Sequence, residues 1–189
     1  MPVISPQAKS GHAMVEISST FHMPETRRLL EYWQSKRGQR PRPRLNDLDL
    51  MEIYDIAPLL TIRDVVDGGR EFRSRYWGTQ LVNLFGVETT GKLLGEAFSP
   101  ESAQVLKDRL CLSLQADGPV RVVAVVELIK INVPRIYEGI WLTLDGNGGE
   151  NQHTIGTFGF GYEFQPGELD REGGPEDWPR IYYRSGEAF

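Results

Sequence analysis

The sequence predicts an α+β fold: a five-stranded antiparallel sheet with helices gathered on one face and a further helix at the N-terminal end. Three observations lead there. Apolar residues recur at helical spacing over 24–37, 79–86 and 99–118, whereas 59–66, 71–78, 120–131, 135–144 and 153–164 are β-branched, aromatic or alternating. Turn residues then join strands in pairs, with DGG at 67–69 and DGNGG at 145–149. Two strands, a helical insertion and three strands make one sheet rather than alternating β–α units.

In order, residues 1–23 contain Pro2, Pro6 and Gly11 and read as a flexible arm. PETRRLLEYWQSKR at 24–37 places Pro24 in a first turn, Leu29, Leu30 and Trp33 on one face, and Gly38 as the stop. The Arg-Pro run that follows is extended, because each proline drives its predecessor out of helical dihedrals. LLTIRDVV and EFRSRYWG form a hairpin. Thr79 then serves as an N-cap and Gly86 as the terminator of TQLVNLFG. In SPESAQVLKDRLCLSLQADG, Ser99 caps, Pro100 fits the first turn and Gly118-Pro119 stops the helix. Three strands close the domain at 164, and 165–189, rich in charge, Gly and Pro, reads as a polar tail.

Composition removes several classes of function. The 189 residues are 40% hydrophobic and 25% charged, enough to bury one core. A net charge of -5 argues against broad electrostatic binding of nucleic acid. The single cysteine, Cys111, excludes an internal disulfide and a cysteine-based metal site. No charged leader followed by an apolar run opens the sequence, and no stretch reaches the about 18 apolar residues of a spanning helix. A cytoplasmic setting is expected.

Two short motifs carry a family resemblance. The helix ends in Tyr32, Trp33, Ser35, Arg37 and Gly38 (YWxSxRG), and a second block holds Phe72, Arg73, Arg75, Gly78, Thr79, Phe85, Gly86, Thr90 and Gly91 (FRxRxxGT…FG…TG). With the order of elements, these make the chain resemble a PAS domain, and more narrowly the single-domain PAS family of alphaproteobacteria, over roughly residues 25–162. Ser74, Tyr76 and Trp77 depart from the apolar or smaller residues of that family. The resemblance implies a bacterial sensory or interaction module working in signal transduction, not a catalyst.

It also directs attention to ligands. Haem through histidine is not expected, because His12, His22 and His153 lie outside 85–115, where an axial ligand belongs. Flavin photochemistry is not expected either, because Cys111 sits in RLCLSL rather than in an Asn-Cys-Arg setting. No metal-ligand spacing occurs, and no cofactor is predicted. An uncoloured organic ligand remains open: under strict alternation Ser74 and Tyr76 share a face, and with Phe85, Ile140 and Phe158 they could wall a pocket. The competing reading is that these aromatics fill the core.

Under the same alternation Trp77 and Trp141 fall on the opposite face, where they would offer a partner surface. Leu29, Leu30 and Trp33 are expected to pack against that face, within one chain or across a homodimer. Lys36, Arg37, Arg40, Arg42 and Arg44 form a basic strip read as a solvated loop, with nucleotide or nucleic-acid binding as its alternative. No GxSxG, P-loop or HExxH occurs, and carboxylate pairs such as Glu127 with Glu138, which could face each other across adjacent strands, are read as surface pairs. The chain is therefore expected to be a non-catalytic regulatory module acting through protein contact with a separate signalling protein, WPRIYY at 178–183 being a candidate docking segment. A small-molecule enzyme on the same scaffold is the remaining alternative.

Overall fold

The computed structural model describes residues 13–116, 118–128, 133–146 and 152–163. The DGNGG turn beyond residue 146 and the WPRIYY segment lie outside the described residues.

Six strands form one antiparallel sheet: β1 (Met14–Ile17), β2 (Leu60–Val66), β3 (Glu71–Trp77), β4 (Val120–Leu128), β5 (Val133–Leu144) and β6 (His153–Phe160). Their order across the sheet is β1-β4-β5-β6-β2-β3. Four α-helices join them among the described residues: α1 (Pro24–Arg37), α2 (Thr79–Phe85), α3 (Leu94–Ala97) and α4 (Pro100–Gln115). The expectation of five strands is corrected by β1. Residues 14–17 lie in the stretch read as a flexible arm, yet they pair with β4 from Met14↔Val123 to Ile17↔Val120. MVEI is too short to signal a strand alone, and its hydrogen-bond partners lie over 100 positions away.

Helices cover both faces. Against α2, α3 and α4 the sheet presents Phe72, Trp77, Val120, Val122, Ala124, Tyr137, Trp141 and Phe158. Against α1 it presents Leu60, Ile62, Ile140, Leu142, Leu144 and Ile155, which meet Leu29, Leu30 and Trp33. The two sets alternate along β5, as a strand buried on both sides requires.

Helix α1 starts at Pro24, carries Glu25 in its first turn and Lys36 and Arg37 in its last, and stops at Gly38 with φ 57°, where side chains other than glycine are strained. Its first turn has no cap from a neighbouring side chain. The sheet supplies one instead: the Glu138 carboxylate on β5 accepts from His22 N at 2.9 Å, Met23 N at 2.8 Å and the Thr26 hydroxyl at 2.7 Å.

The junction of β3 with α2 turns on Gly78. A Cβ there would lie 2.2 Å from the Pro58 carbonyl oxygen and 2.8 Å from that of Ala57, both backbone atoms that cannot swing aside. Gly78 N also donates to Leu60 O at 2.9 Å, pinning the junction to β2. Gly78→Ala is expected to lower unfolding stability by about 3 kcal/mol, at the upper end for overpacking. Urea denaturation followed by tryptophan fluorescence checks this, and an unchanged midpoint contradicts the close approach.

Candidate functional site

The structure parts the residues expected to line a single pocket. Phe85 and Phe158 meet on the α2–α4 side with ring centroids 6.2 Å apart. Ser74 faces that side too, its hydroxyl 2.9 Å from the Thr89 hydroxyl. Tyr76 and Ile140 belong to the α1 side, and the Tyr76 hydroxyl donates to Ala57 O at 3.0 Å. The cause is a β-bulge. Register runs Thr61↔Trp77 and Ile62↔Tyr76, then Arg63↔Ser74, leaving Arg75 as an extra residue. Strict alternation therefore breaks between Ser74 and Tyr76. The same slip carries Trp77 to the face of Phe72, where its indole nitrogen donates to Val87 O at 3.0 Å.

This corrects the grouping of Trp33 with Trp77 and Trp141. Trp33, on the sheet-facing side of α1, donates to Thr143 O at 3.0 Å, whereas Trp77 and Trp141 lie across the sheet among α2–α4. Leu29, Leu30, Trp33, Trp77 and Trp141 are all buried within the single chain.

On the α2–α4 side aromatic rings interlock. Phe158 meets Tyr137 at 5.4 Å and Trp141 at 5.6 Å, the latter at 90°, and it stacks on Phe160 at 6.2 Å. Trp77 bridges Phe85 at 5.8 Å and Phe98 at 6.2 Å. These spacings are those of packed aromatic pairs. Within this layer the Arg109 guanidinium, buried on α4, donates to the Tyr137 hydroxyl at 2.7 Å. Its Nε has no hydrogen-bond partner. Cys111, also on α4, donates its thiol to Gly69 O at 3.3 Å, and burial pushes its pKa up, which suits a packing residue.

On the α1 side Glu138 and Arg121 form a buried ion pair at 2.6 Å, with side chains 0% and 3% exposed. Arg121 also donates to Glu16 at 2.9 Å and to the Tyr162 hydroxyl at 2.6 Å. Burial works against its charge, but the bonds to Glu138 and Glu16 outweigh it and raise the guanidinium pKa. The pairing of Glu127 with Glu138 does not occur: Glu138 stands opposite Val123, and Glu127 opposite Pro134. In the sequence Glu138 stands on an alternating strand, and surface pairing is the ordinary expectation for such a carboxylate. On a sheet covered from both sides that alternation does not identify the wet face.

The basic strip divides. Lys36 pairs with Glu52 and Arg40 with Asp47, while the Arg37 guanidinium lies over the Trp33 ring at 5.7 Å. Arg44 is exposed. Arg42 turns inward and lines a cleft of about 290 Å³ together with Trp33, Ser113, Leu142, Thr143 and Asp145, among others. Arg75 pairs with Asp64 at 2.6 Å, and His153 Nδ1 lies 2.8 Å from the same Asp64 carboxylate.

Two large apolar side chains stand out from the surface between α1 and β2. Met51 is 75% exposed and Tyr54 71%, while Ile53 and Ile56 between and after them are buried. They ride on the 3-10 turn Leu50–Ile53 and the residues after it. The flanking acids are braced, Glu52 by Lys36 and Asp55 by Arg28 at 3.3 Å.

Among the described residues no group of three or more His, Cys, Asp or Glu is placed to hold a metal ion, and no helix is long and apolar enough to cross a membrane. No curated protein matches the chain. A solved structure described as "Structure of an RNA-binding Light-Oxygen-Voltage Receptor" is similar at 12% identity with a TM-score of 0.40, over 80% of this chain and 39% of that one. A family model described as "PAS domain" matches residues 21–158, which span the sheet from α1 to β6. That match covers well over half of the 189 residues, and with it the chain belongs to the PAS domain family.

Proposed function

We propose that this chain is a non-catalytic regulatory module that signals through contact with a separate protein, using Met51 and Tyr54 as anchors. The observation that carries this reading is the exposure of those two side chains on a braced surface. A flexible thioether and an aromatic ring on a rigid platform are the residue types that dominate contact energetics. With Glu52 and Asp55 paired to Lys36 and Arg28 beside them, the patch favours a partner with an apolar socket and a polar, mixed-charge rim. Membership of the PAS family supports a sensory role, and the interlocked rings on the α2–α4 side support contact rather than a large ligand there.

The double variant Met51→Glu with Tyr54→Glu tests it. Neither side chain is buried, so the fold is expected to keep its stability within about 0.5 kcal/mol. Quantitative co-purification from cells expressing wild type or variant at equal level should show one stoichiometric partner lost by at least about tenfold, a difference of about 1.4 kcal/mol in binding. Equal recovery of every co-purifying protein contradicts the reading.

A further inference from the structure

The cleft at Arg42 has no part in that proposal, and among the described residues its two charged side chains form no ion pair. It opens where the C-terminal end of α4 meets β5 and the Arg-Pro loop. Its apolar wall is the Trp33 ring with Leu142, and its polar rim is Arg42 and Asp145. Backbone bonds bring the two charged residues together: Asp145 N donates to Pro43 O at 2.9 Å, and Leu45 N donates to Asp145 O at 3.2 Å.

Arg42 is held loosely. Its Nη2 reaches the carbonyls of Leu114 and Ala116 at 3.5 and 3.4 Å, long for charge-assisted bonds. Among the described residues no carboxylate lies within ion-pair distance of Arg42, unlike Lys36 and Arg40 of the same strip. Asp145 is half-buried and forms no ion pair with Arg42, so among the described residues one cleft presents a guanidinium and a carboxylate that no opposite charge neutralises. The neighbouring polar groups are already committed. Trp33 donates to Thr143 O, Thr143 to Ser113 O and Ser113 to Leu110 O, which makes the floor rigid. The last carbonyls of α4 add the negative end of a helix to the rim.

From this geometry we infer that the cleft binds a small zwitterion of the amino-acid type. Its carboxylate takes the fork of Arg42, its ammonium lies against Asp145 and the end of α4, and its side chain lies on Trp33 and Leu142. A planar guanidinium prefers a bidentate carboxylate to two long carbonyl contacts, so ligand binding redirects Arg42 rather than desolvating it unpaired. A volume of about 290 Å³ sits at the small end of ligand sites and suits an amino acid, not a dinucleotide.

Saturation-transfer NMR on the full chain tests this, with the free protein-type L-amino acids offered one at a time, beside their C-terminal amides and N-acetyl derivatives. At least one free amino acid should bind saturably, and both derivatives of it should bind at least about tenfold more weakly, since each loses one charge pairing. Arg42→Ala should reduce binding of the free amino acid and abolish that of the N-acetyl form. Asp145→Asn should weaken the free amino acid and leave the N-acetyl form unchanged. Absence of saturable binding for every amino acid up to about 10 mM overturns the inference. Binding equal among free, amide and N-acetyl forms overturns it as well, and that comparison uses wild-type protein alone, so it stands even where a variant fails to fold.

Discussion

Glu138→Ala is expected to destabilise the protein by about 3–5 kcal/mol, the range for removing one partner of a buried ion pair. Two losses combine. The Arg121 guanidinium, 3% exposed, would keep Glu16 at the rim but lose the buried carboxylate that neutralises it. The first turn of α1 would lose the acceptor for His22 N and Met23 N, with no local side chain to replace it, and the Thr26 hydroxyl would keep only Met23 O. Against the roughly 5–15 kcal/mol by which such domains are stable, this is enough to unfold a large fraction at moderate temperature. Urea denaturation measures it. Removing both charges in an Arg121→Met, Glu138→Leu variant should recover a substantial part of the loss, because no buried charge is then left alone. A Glu138→Ala cost under about 1 kcal/mol would mean that the carboxylate does not hold α1 to the sheet.

Phe158→Ala is expected to cost about 3–5 kcal/mol, as for a large aromatic removed from a close-packed core. Phe158 touches Phe85, Tyr137, Trp141 and Phe160, so no single neighbour can collapse into the space it leaves. The size of this effect separates the two readings of the aromatic stripe. If the α2–α4 side is packing, the full penalty appears in the purified chain. If Phe158 lined an open ligand cavity, truncation would cost about 1 kcal/mol or less, because one side of the ring would already lack contacts. A cost in the higher range would mark this core as structural, as the ring contacts of Phe158 indicate.

Much of the fold was legible because its signals are local. Pro24 and Gly38 bound α1, Ser99 and Pro100 open α4, and DGG joins β2 to β3, each read from neighbours in the chain. What escaped was set by distant partners. β1 exists because β4 offers an edge, and α1 is capped by a carboxylate 115 positions away from Met23. The site was less legible for a related reason. A bulge at Arg75 leaves no mark in EFRSRYW, yet it decides that Tyr76 and Trp77 fall on the sides opposite to those assigned by alternation. Likewise KRGQRPRPR reads as five equivalent cations until Glu52 and Asp47 claim two of them and Arg42 turns into the cleft.

Under the proposed function, signalling leaves this chain through Met51 and Tyr54. The most direct test places a benzophenone amino acid at position 54 and, as a control, at the exposed Arg73 on β3, followed by irradiation of living cells and mass analysis of the adducts. The account predicts one dominant adduct from position 54, to a protein other than this chain, and none of it from position 73. Absence of an adduct at position 54, or the same set of adducts from both positions, would contradict it.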